Sequence, residues 1–221
     1  MAQPGERRAR LRAARLYLVI EAAPARDARL VESALAGGVD VIQLREKHAP
    51  DQEVVEAGLE LREMCTAAGA LLVVNDRADL ALECGADGVH VGQHDEPFAA
   101  VRRAVGPGVL IGLSTHSPAQ VDAAEASGEV DYLGVGPVYE TATKPGLEPV
   151  GIELVRYAAA NALKPWFAIG GIEPGRAAEV AAAGAERVAV VRAIRDARDP
   201  RAAAEALREA MERVPAGGQA Q

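Results

Sequence analysis

The feature that most constrains the fold is a unit that recurs eight times: a short apolar run, a turn residue, and a stretch with helical periodicity. The apolar runs are Leu16–Ile20, Val41–Leu44, Leu71–Asn75, Gly88–Val91, Leu110–Ser114, Tyr132–Val135, Trp166–Ile169 and Arg187–Val191. The helical stretches include Asp27–Ala36, Asp51–Ala68, Ala78–Cys84, Phe98–Val105, Pro118–Ala126, Ile152–Ala160, Arg176–Ala183 and about Arg201–Val214. Alternation of this kind predicts parallel strands, because parallel strands need crossover helices that cover both faces of the sheet.

The chain length favours one closed barrel over an open sheet. A barrel of eight such units typically takes ~250 residues and can be as short as ~200, and this chain has 221. A six-stranded open sheet would leave two strands unused. We therefore predict a single (β/α)8 TIM barrel over residues 16–214, preceded by an Arg-rich extension (1–15) and followed by a flexible tail (215–221).

Composition excludes several classes of partner. The net charge is −8 and aromatic residues make up 3% of the chain, which disfavours binding to nucleic acid. No apolar run approaches the ~20 residues that a membrane span needs. Cys65 and Cys84 are too few for a disulfide framework, which predicts a reducing, cytoplasmic location.

The N-terminal segment Met1–Arg15 is unusually rich in arginine. A solvated or frayed first turn is the simplest interpretation. A mitochondrial transit peptide is the alternative, although the segment lacks Ser and contains Glu6.

The end of the second strand carries alternating polar side chains. Because side chains alternate between faces, Gln43, Arg45 and Lys47 should point to one side, while Leu44 and Glu46 point to the other. Two cations and an amide would then line the mouth of the barrel, where barrel enzymes hold their substrates. The alternative is an exposed loop in which Glu46 and Lys47 form a solvated pair.

Two carboxylates follow neighbouring strands. Asp76 comes after the third strand and Asp95 after the fourth, and such a pair suits Mg²⁺, which takes one or two carboxylates together with waters and substrate phosphates. The alternative for Asp76 is a helix N-cap. His90 and His94 have a zinc-like spacing, but it runs from a strand into a loop, so packed or loop histidines are the better interpretation.

The remaining strand ends suit anions. Ser114 places a hydroxyl at the end of the fifth strand, and the long loop after the sixth carries Thr141, Thr143 and Lys144. Gly170-Gly171 after the seventh strand lets backbone N–H groups approach a phosphate. An ordinary loop and a tight turn are the alternatives.

Taken together, these phrases resemble the thiamine-phosphate synthase family. The matching pieces, from about residue 16 to 195, are QLREK at 43–47, NDRAD at 75–79, ADGVHVGQHD at 86–95, GLSTH at 112–116, DYLGVGPVYETATK at 131–144, AIGGI at 168–172 and the segment 188–194. Many phosphate-binding barrels share AIGGI, whereas QLREK, NDR and GQxD together are specific.

The resemblance implies a transferase that joins a hydroxymethylpyrimidine diphosphate to a (carboxy)thiazole phosphate, releasing pyrophosphate and forming thiamine phosphate. It implies Mg²⁺ held by Asp76 and Asp95, and small-molecule partners only. The residues implied to bind the pyrimidine diphosphate are Gln43, Leu44, Arg45, Glu46, Lys47, Asn75, Ser114 and Lys144, of which Arg45, Lys47, Ser114 and Lys144 act on the leaving group. Those implied to hold the thiazole phosphate are Thr141, Ala142, Thr143, Gly171, Val191 and Arg192.

Two positions depart from the family's pattern. Ile20-Glu21 stands where a Thr-Asp pair is common, and Arg192 stands where Ser is frequent. Two other functions stay open: a thiazole tautomerase on the same barrel, whose relatives tend to lose the Asp pair and carry histidine at the position of Pro137, and a non-catalytic phosphate-binding barrel. Assembly into a homo-oligomer is also left open.

Overall fold

The recurring units form a closed barrel of eight parallel strands. The computed structural model describes residues 4–141 and 148–212, and in it each strand pairs with the next in the chain while the last pairs with the first. The strands are β1 Leu16–Ile20, β2 Val41–Leu44, β3 Leu71–Asn75, β4 Gly88–Val91, β5 Leu110–Thr115, β6 Tyr132–Val135, β7 Trp166–Ile169 and β8 Val188–Val190. The predicted (β/α)8 barrel is confirmed.

Helices alternate with the strands around the outside. They are α1 Pro4–Ala13, α2 Ala22–Ala25, α3 Ala28–Ala36, α4 Asp51–Ala68, α5 Ala78–Glu83, α6 Phe98–Val105, α7 Pro118–Ala126, α8 Gly151–Asn161, α9 Pro174–Ala182, α10 Arg192–Arg195 and α11 Pro200–Glu212. Local sequence sets their ends: the Ser117 hydroxyl accepts the Gln120 N–H at the start of α7, and Gly69 ends α4 in the left-handed conformation. No helix in the described part of the chain is both long and apolar enough to cross a membrane.

Side chains of the strands fill two separate apolar layers. Leu18, Ile42 and Leu44 belong to the larger layer, between the strands and the surrounding helices. Tyr17 and Tyr132 belong to the smaller one, inside the barrel. Because successive side chains alternate, every strand except β4 contributes apolar side chains to both layers, and the inner layer forms the floor beneath the strand ends.

The amino-terminal end of the barrel is closed by α1. Leu11 of this helix packs into the inner layer, and Arg7, only 3% exposed, donates to Asp87 at 3.0 Å and to the Gly108 carbonyl at 2.8 Å. Arg8 donates to Asp131 at 2.9 Å. The expectation of a solvated or frayed first turn is therefore wrong for Arg7 and Arg8, which bind carboxylates and a carbonyl at the bottom of the barrel, while Arg12 is exposed.

Three aspartates, each directly before an even-numbered strand, form a carboxylate ring at this end of the barrel, in which Asp87 and Asp131 bind arginines of α1 and Asp40 binds Arg208 of α11. Asp40 accepts the Leu16 N–H at 3.0 Å, Asp87 accepts the Leu72 N–H at 3.0 Å, and Asp131 accepts the Ile111 N–H at 2.9 Å. Each carboxylate thus ties its own strand to the preceding one and also binds an arginine. The ring fixes the register of the strands at the end opposite the candidate site.

Differences from the predicted boundaries are concentrated at β8 and the short helices. The last strand is three residues long, and the chain turns at Val191 into the single-turn helix α10. Helices α1, α2 and α10 were not predicted. The predicted tail, residues 215–221, lies outside the described residues.

Candidate functional site

A cavity of about 1370 Å³ opens at the carboxyl ends of the strands. This is the end at which barrel enzymes carry their chemistry, because the loops that vary in sequence converge there. Eight of the residues predicted for substrate binding line it: Gln43, Arg45, Asn75, Ser114, Thr141, Gly171, Val191 and Arg192. Ala142, Thr143 and Lys144 lie outside the described residues.

Aromatic rings form the floor of this cavity. Tyr17 and Phe167 meet edge to face with centroids 5.1 Å apart, and Tyr132 and Phe167 meet in the same way at 6.0 Å. Burial raises the pKa of both tyrosine hydroxyls, so each keeps its proton at neutral pH. A flat heterocycle could therefore rest on apolar ring edges while polar groups hold its rim.

A chain of hydrogen bonds crosses the same floor. Gln43 Nε2 donates to Tyr17 Oη at 2.7 Å, and Tyr17 Oη lies 3.0 Å from Tyr132 Oη. His90 lies 3.2 Å from Tyr132 Oη through Nδ1 and 3.0 Å from Ser114 Oγ through Nε2. Neither tyrosine was predicted as a site residue, although alternation within their strands, which places both on the inner face, was an available signal.

The carboxylate after β3 lies beside cationic and anionic neighbours. Lys47 Nζ is 2.5 Å from Asp76 Oδ2. Burial raises the pKa of Asp76, and nearby Asp95 raises it further, while Lys47 acts in the opposite direction. Asp76 also has a φ of +61°, an unfavourable conformation that costs a non-glycine residue roughly 1–2 kcal/mol. Such strain is typical of a functional position.

Two alternative interpretations of these strand ends are wrong. The N-cap residue of α5 is Arg77, and no side chain caps that helix, so Asp76 is not its cap. Glu46 does not form a pair with the Lys47 ammonium, because its carboxylate accepts the backbone N–H groups of Lys47 and His48 at 2.8 and 2.9 Å. Glu46 therefore shapes the loop.

Of QLREK, Gln43 and Arg45 line the cavity, whereas Leu44, Glu46 and Lys47 do not, so the prediction that Lys47 lines the mouth is wrong. The Leu44 side chain is buried in the layer between strands and helices, so only its backbone could face a substrate. For the Glu46 carboxyl, burial alone would raise the pKa, but the hydrogen bonds from backbone N–H groups outweigh it and hold the pKa below its ordinary value. That Leu44 and Glu46 contact a substrate stays a prediction.

Asp76 and Asp95 suit a hard divalent ion completed by other ligands. Among the described residues no group of three or more His, Cys, Asp or Glu side chains could hold a metal ion. Mg²⁺ commonly uses just one or two carboxylates, with waters and substrate phosphates as its remaining ligands. Burial is the main cause of the raised pKa of Asp76, and repulsion from Asp95 adds to it; a cation bound between the two carboxylates would relieve that repulsion.

The opposite wall is built around a glycine that cannot be replaced without strain. Gly171 has a φ of +63°, and a Cβ there would lie 2.7 Å from the Glu140 carbonyl oxygen. Arg176 donates to the Gly171 carbonyl at 3.1 Å and stacks 4.7 Å above the Tyr139 ring. Arg192, the first residue of α10, is exposed at the same mouth. This wall offers close backbone approach and two guanidinium groups to an anion.

Comparison with known proteins identifies the family. The model of the thiamine monophosphate synthase family matches residues 16–194, nearly the whole barrel. The chain belongs to the thiamine monophosphate synthase family. A thiamine-phosphate synthase of Mycobacterium sp. (strain JLS) is 52% identical over 210 residues, covering 90% of this chain and 92% of that one.

Two further relatives of the thiamine monophosphate synthase family extend the comparison. A thiamine-phosphate synthase of Gloeobacter violaceus is 55% identical over 196 residues; the match covers 89% of this chain but 57% of that protein, so the chain spans little more than half its length. The solved thiamine phosphate pyrophosphorylase from Pyrococcus furiosus is 36% identical, with a TM-score of 0.82 over 93% of this chain and 97% of that one. The resemblance inferred from the motifs is confirmed.

Proposed function

We propose that this chain is a thiamine-phosphate synthase, a transferase that joins a hydroxymethylpyrimidine diphosphate to a thiazole phosphate with release of pyrophosphate. The observation that carries the proposal is that Gln43 and Arg45 of QLREK, Asn75 of NDR, Ser114 and the Gly170-Gly171 turn line one cavity, in a chain of this family. A cavity with an aromatic floor, cations on one wall and a glycine turn on the other matches two phosphorylated heterocycles.

The reaction needs charge stabilisation more than proton transfer. The thiazole nitrogen attacks the methylene carbon with its lone pair, the carbon–oxygen bond to the diphosphate breaks, and the electron pair leaves with pyrophosphate. Arg45 and Ser114 line the cavity and would donate hydrogen bonds to the departing oxygens, as groups fixed in advance do for developing charge. Lys47 would join them, and Lys144 stays a prediction because it lies outside the described residues.

A divalent cation fits the pair Asp76 and Asp95. Mg²⁺ bound there would supply Lewis-acid stabilisation to the leaving diphosphate. The two carboxylates would anchor it from neighbouring strand ends, with the Lys47–Asp76 contact keeping Asp76 in place beforehand. The proposal therefore includes a reaction that depends on Mg²⁺.

The second substrate would enter against the wall of Gly171. Its phosphate would meet the backbone around Gly171 and Val191 and the hydroxyl of Thr141, all on the cavity surface. Positioning two reactants in one cavity supplies much of the rate of a bimolecular step. A cytoplasmic location and a homo-oligomeric state stay predictions.

The test is a product assay with each component omitted in turn. Purified protein is mixed with the pyrimidine diphosphate, the thiazole phosphate and Mg²⁺, and thiamine phosphate and pyrophosphate are measured together. We expect equal amounts of both products, and neither without either substrate. Isomerisation of the thiazole alone would instead favour the tautomerase, and binding without turnover would favour a non-catalytic barrel.

A further inference from the structure

The hydrogen bonds across the cavity floor have a direction that can be derived by counting donors. The chain runs from Gln43 through Tyr17, Tyr132 and His90 to Ser114. Each hydroxyl can donate one hydrogen, and a neutral imidazole donates from one nitrogen and accepts at the other. Because the middle of the chain is buried, a hydrogen left without an acceptor there would be costly.

The count of donors starts at the side-chain amide of Gln43. Gln43 Nε2 donates to Tyr17 Oη, so the Tyr17 hydrogen is left for Tyr132, its other partner within the described residues. Tyr132 must then donate its own hydrogen to His90 Nδ1. An Nδ1 that accepts leaves the ring hydrogen on Nε2, which donates to Ser114 Oγ.

We infer that His90 is a positioning residue: this chain holds it as the neutral Nε2–H tautomer and so turns the Ser114 hydroxyl hydrogen toward the leaving diphosphate. The inference rests on the proposed function for its ligand. The opposite polarity would draw the Ser114 hydrogen back to Nε2, and the diphosphate would lose that donor.

The residues packed around this chain of hydrogen bonds leave just enough room for its side chains. Gly112 faces the contact between His90 and Tyr132, and a Cβ there would lie 2.4 Å from His90 Nδ1 and 2.2 Å from Tyr132 Cζ. Gly134 leaves room on the other side of the imidazole, where a Cβ would lie 3.2 Å from Cε1. At the far end, Gln93 Nε2 donates to the Ser114 carbonyl at 2.6 Å, which fixes the backbone that carries the hydroxyl.

The direct test reads the tautomer of His90 in the unliganded full-length protein. Long-range ¹H–¹⁵N correlation spectra report the protonation of each ring nitrogen, and the signals missing from His90→Gln assign the residue. We expect Nδ1 without and Nε2 with a hydrogen at neutral pH. A hydrogen on Nδ1, in either the other tautomer or the imidazolium, would overturn the inference. This measurement needs no turnover, so an inactive wild type would contradict the proposed function alone.

A matched pair of variants tests the positioning role. Tyr132→Phe removes the hydrogen that Nδ1 accepts, so we expect a mixture of His90 tautomers and a kcat about tenfold lower, with KM within about twofold, because donation to the leaving group strengthens as charge develops. Tyr157→Phe is the control, since that hydroxyl binds Asp122 on the outer surface, and both readouts should stay as in the wild type. An unchanged kcat in folded Tyr132→Phe would refute the role; if that variant does not fold, the wild-type tautomer decides.

Discussion

At the scale of single residues, the most informative position is Asp76. Its backbone has a positive φ, which is uncommon for residues other than glycine, it pairs with Lys47, and Asp95 is near enough to raise its pKa. A stable protein does not need a strained aspartate beside another carboxylate. This combination is expected where a cation and a diphosphate are to be held together.

Replacing either carboxylate should weaken binding of the cation. We expect Asp76→Asn and Asp95→Asn to lower the apparent Mg²⁺ affinity in turnover by at least about 100-fold, since losing even the partners of metal ligands costs about 10–100-fold. Asp51→Asn, which alters an exposed carboxylate paired with Arg77, is the control and should leave the affinity unchanged. Equal Mg²⁺ affinities in all three variants would contradict a cation site at Asp76 and Asp95.

The raised pKa of Asp76 also sets the pH dependence of that affinity. A proton and the cation compete for the same carboxylate, and a raised pKa extends this competition to higher pH than an ordinary aspartate shows. Mg²⁺ affinity, measured by titration of activity with the metal, should therefore fall as pH is lowered toward the pKa of Asp76. An affinity independent of pH through the mildly acidic range would contradict the assignment.

Gly112 should tolerate no side chain. Its added Cβ would lie 2.2 Å from Tyr132 Cζ, and overpacking of this kind typically costs about 1–3 kcal/mol. We expect Gly112→Ala to lower the free energy of unfolding by that amount in urea titrations. Gly128→Ala, where a Cβ would meet nothing within 4 Å, should cost far less; equal losses would mean that the inner layer is looser than described.

At the scale of elements, α1 shows how arginines can act as core residues. The Arg7 guanidinium donates to Asp87 and to the Gly108 carbonyl, and Arg62 donates to the same Asp87 carboxylate. Burial alone would raise the pKa of Asp87, but hydrogen bonds from Arg62, the Leu72 N–H and Arg7 outweigh it and keep the pKa below its ordinary value. The carboxylate thus stays charged at neutral pH, and α1 is bound to the barrel by paired charges.

Arg7→Ala should detach this helix. Removing one partner leaves Asp87 buried with part of its hydrogen bonding, and breaking a buried pair typically costs about 3–5 kcal/mol. We expect a loss near 3 kcal/mol in the free energy of unfolding, since Arg62 and the Leu72 N–H remain. Arg12→Ala changes an exposed arginine of the same helix and should stay within about 0.5 kcal/mol of the wild type. Similar losses in both would refute the role of the carboxylate ring.

At the start of α10, Arg192 stands where the family frequently has Ser, beside the cavity wall around Gly171. Arg192 is exposed there, while Val191 lines the cavity beside it. We expect backbone N–H groups to hold the phosphate, so Arg192→Ser should leave KM for the thiazole phosphate nearly unchanged in steady-state kinetics. A rise of about tenfold, worth ~1.4 kcal/mol, would show that the side chain binds the phosphate directly.

At the scale of the whole molecule, the barrel was predictable because its period is local. Each strand and each long helix shows its own hydrophobic pattern, so β1 to β7 begin where predicted and only β8 is shorter. Helix α10 was missed because one turn is too short to show a period. Helix α1 was missed because its arginines are buried by carboxylates far along the chain, as Arg7 is by Asp87.

Some residues of the candidate site could likewise be predicted from the sequence, and others could not. Arg45, Asn75 and Ser114 were found because strand ends converge in any barrel of this kind, so local position was enough. The chain of hydrogen bonds from Tyr17 through Tyr132 to His90 joins residues on three strands. Tyr132 and His90 lie in phrases that match the family, but nothing local to those phrases shows that they meet each other and Tyr17. Only the closed barrel, with Gly112 and Gly134 leaving room, brings them into contact.

We propose that the ends of β2 to β5 hold a diphosphate and a divalent cation. The most direct measurement is a crystal structure with thiamine phosphate, pyrophosphate and Mn²⁺ in place of Mg²⁺, with the metal located by its anomalous scattering. We expect the metal peak between the carboxylates of Asp76 and Asp95, and the pyrophosphate against Arg45 and Ser114. A metal peak or a pyrophosphate elsewhere on the barrel would contradict this placement of the cation and the diphosphate.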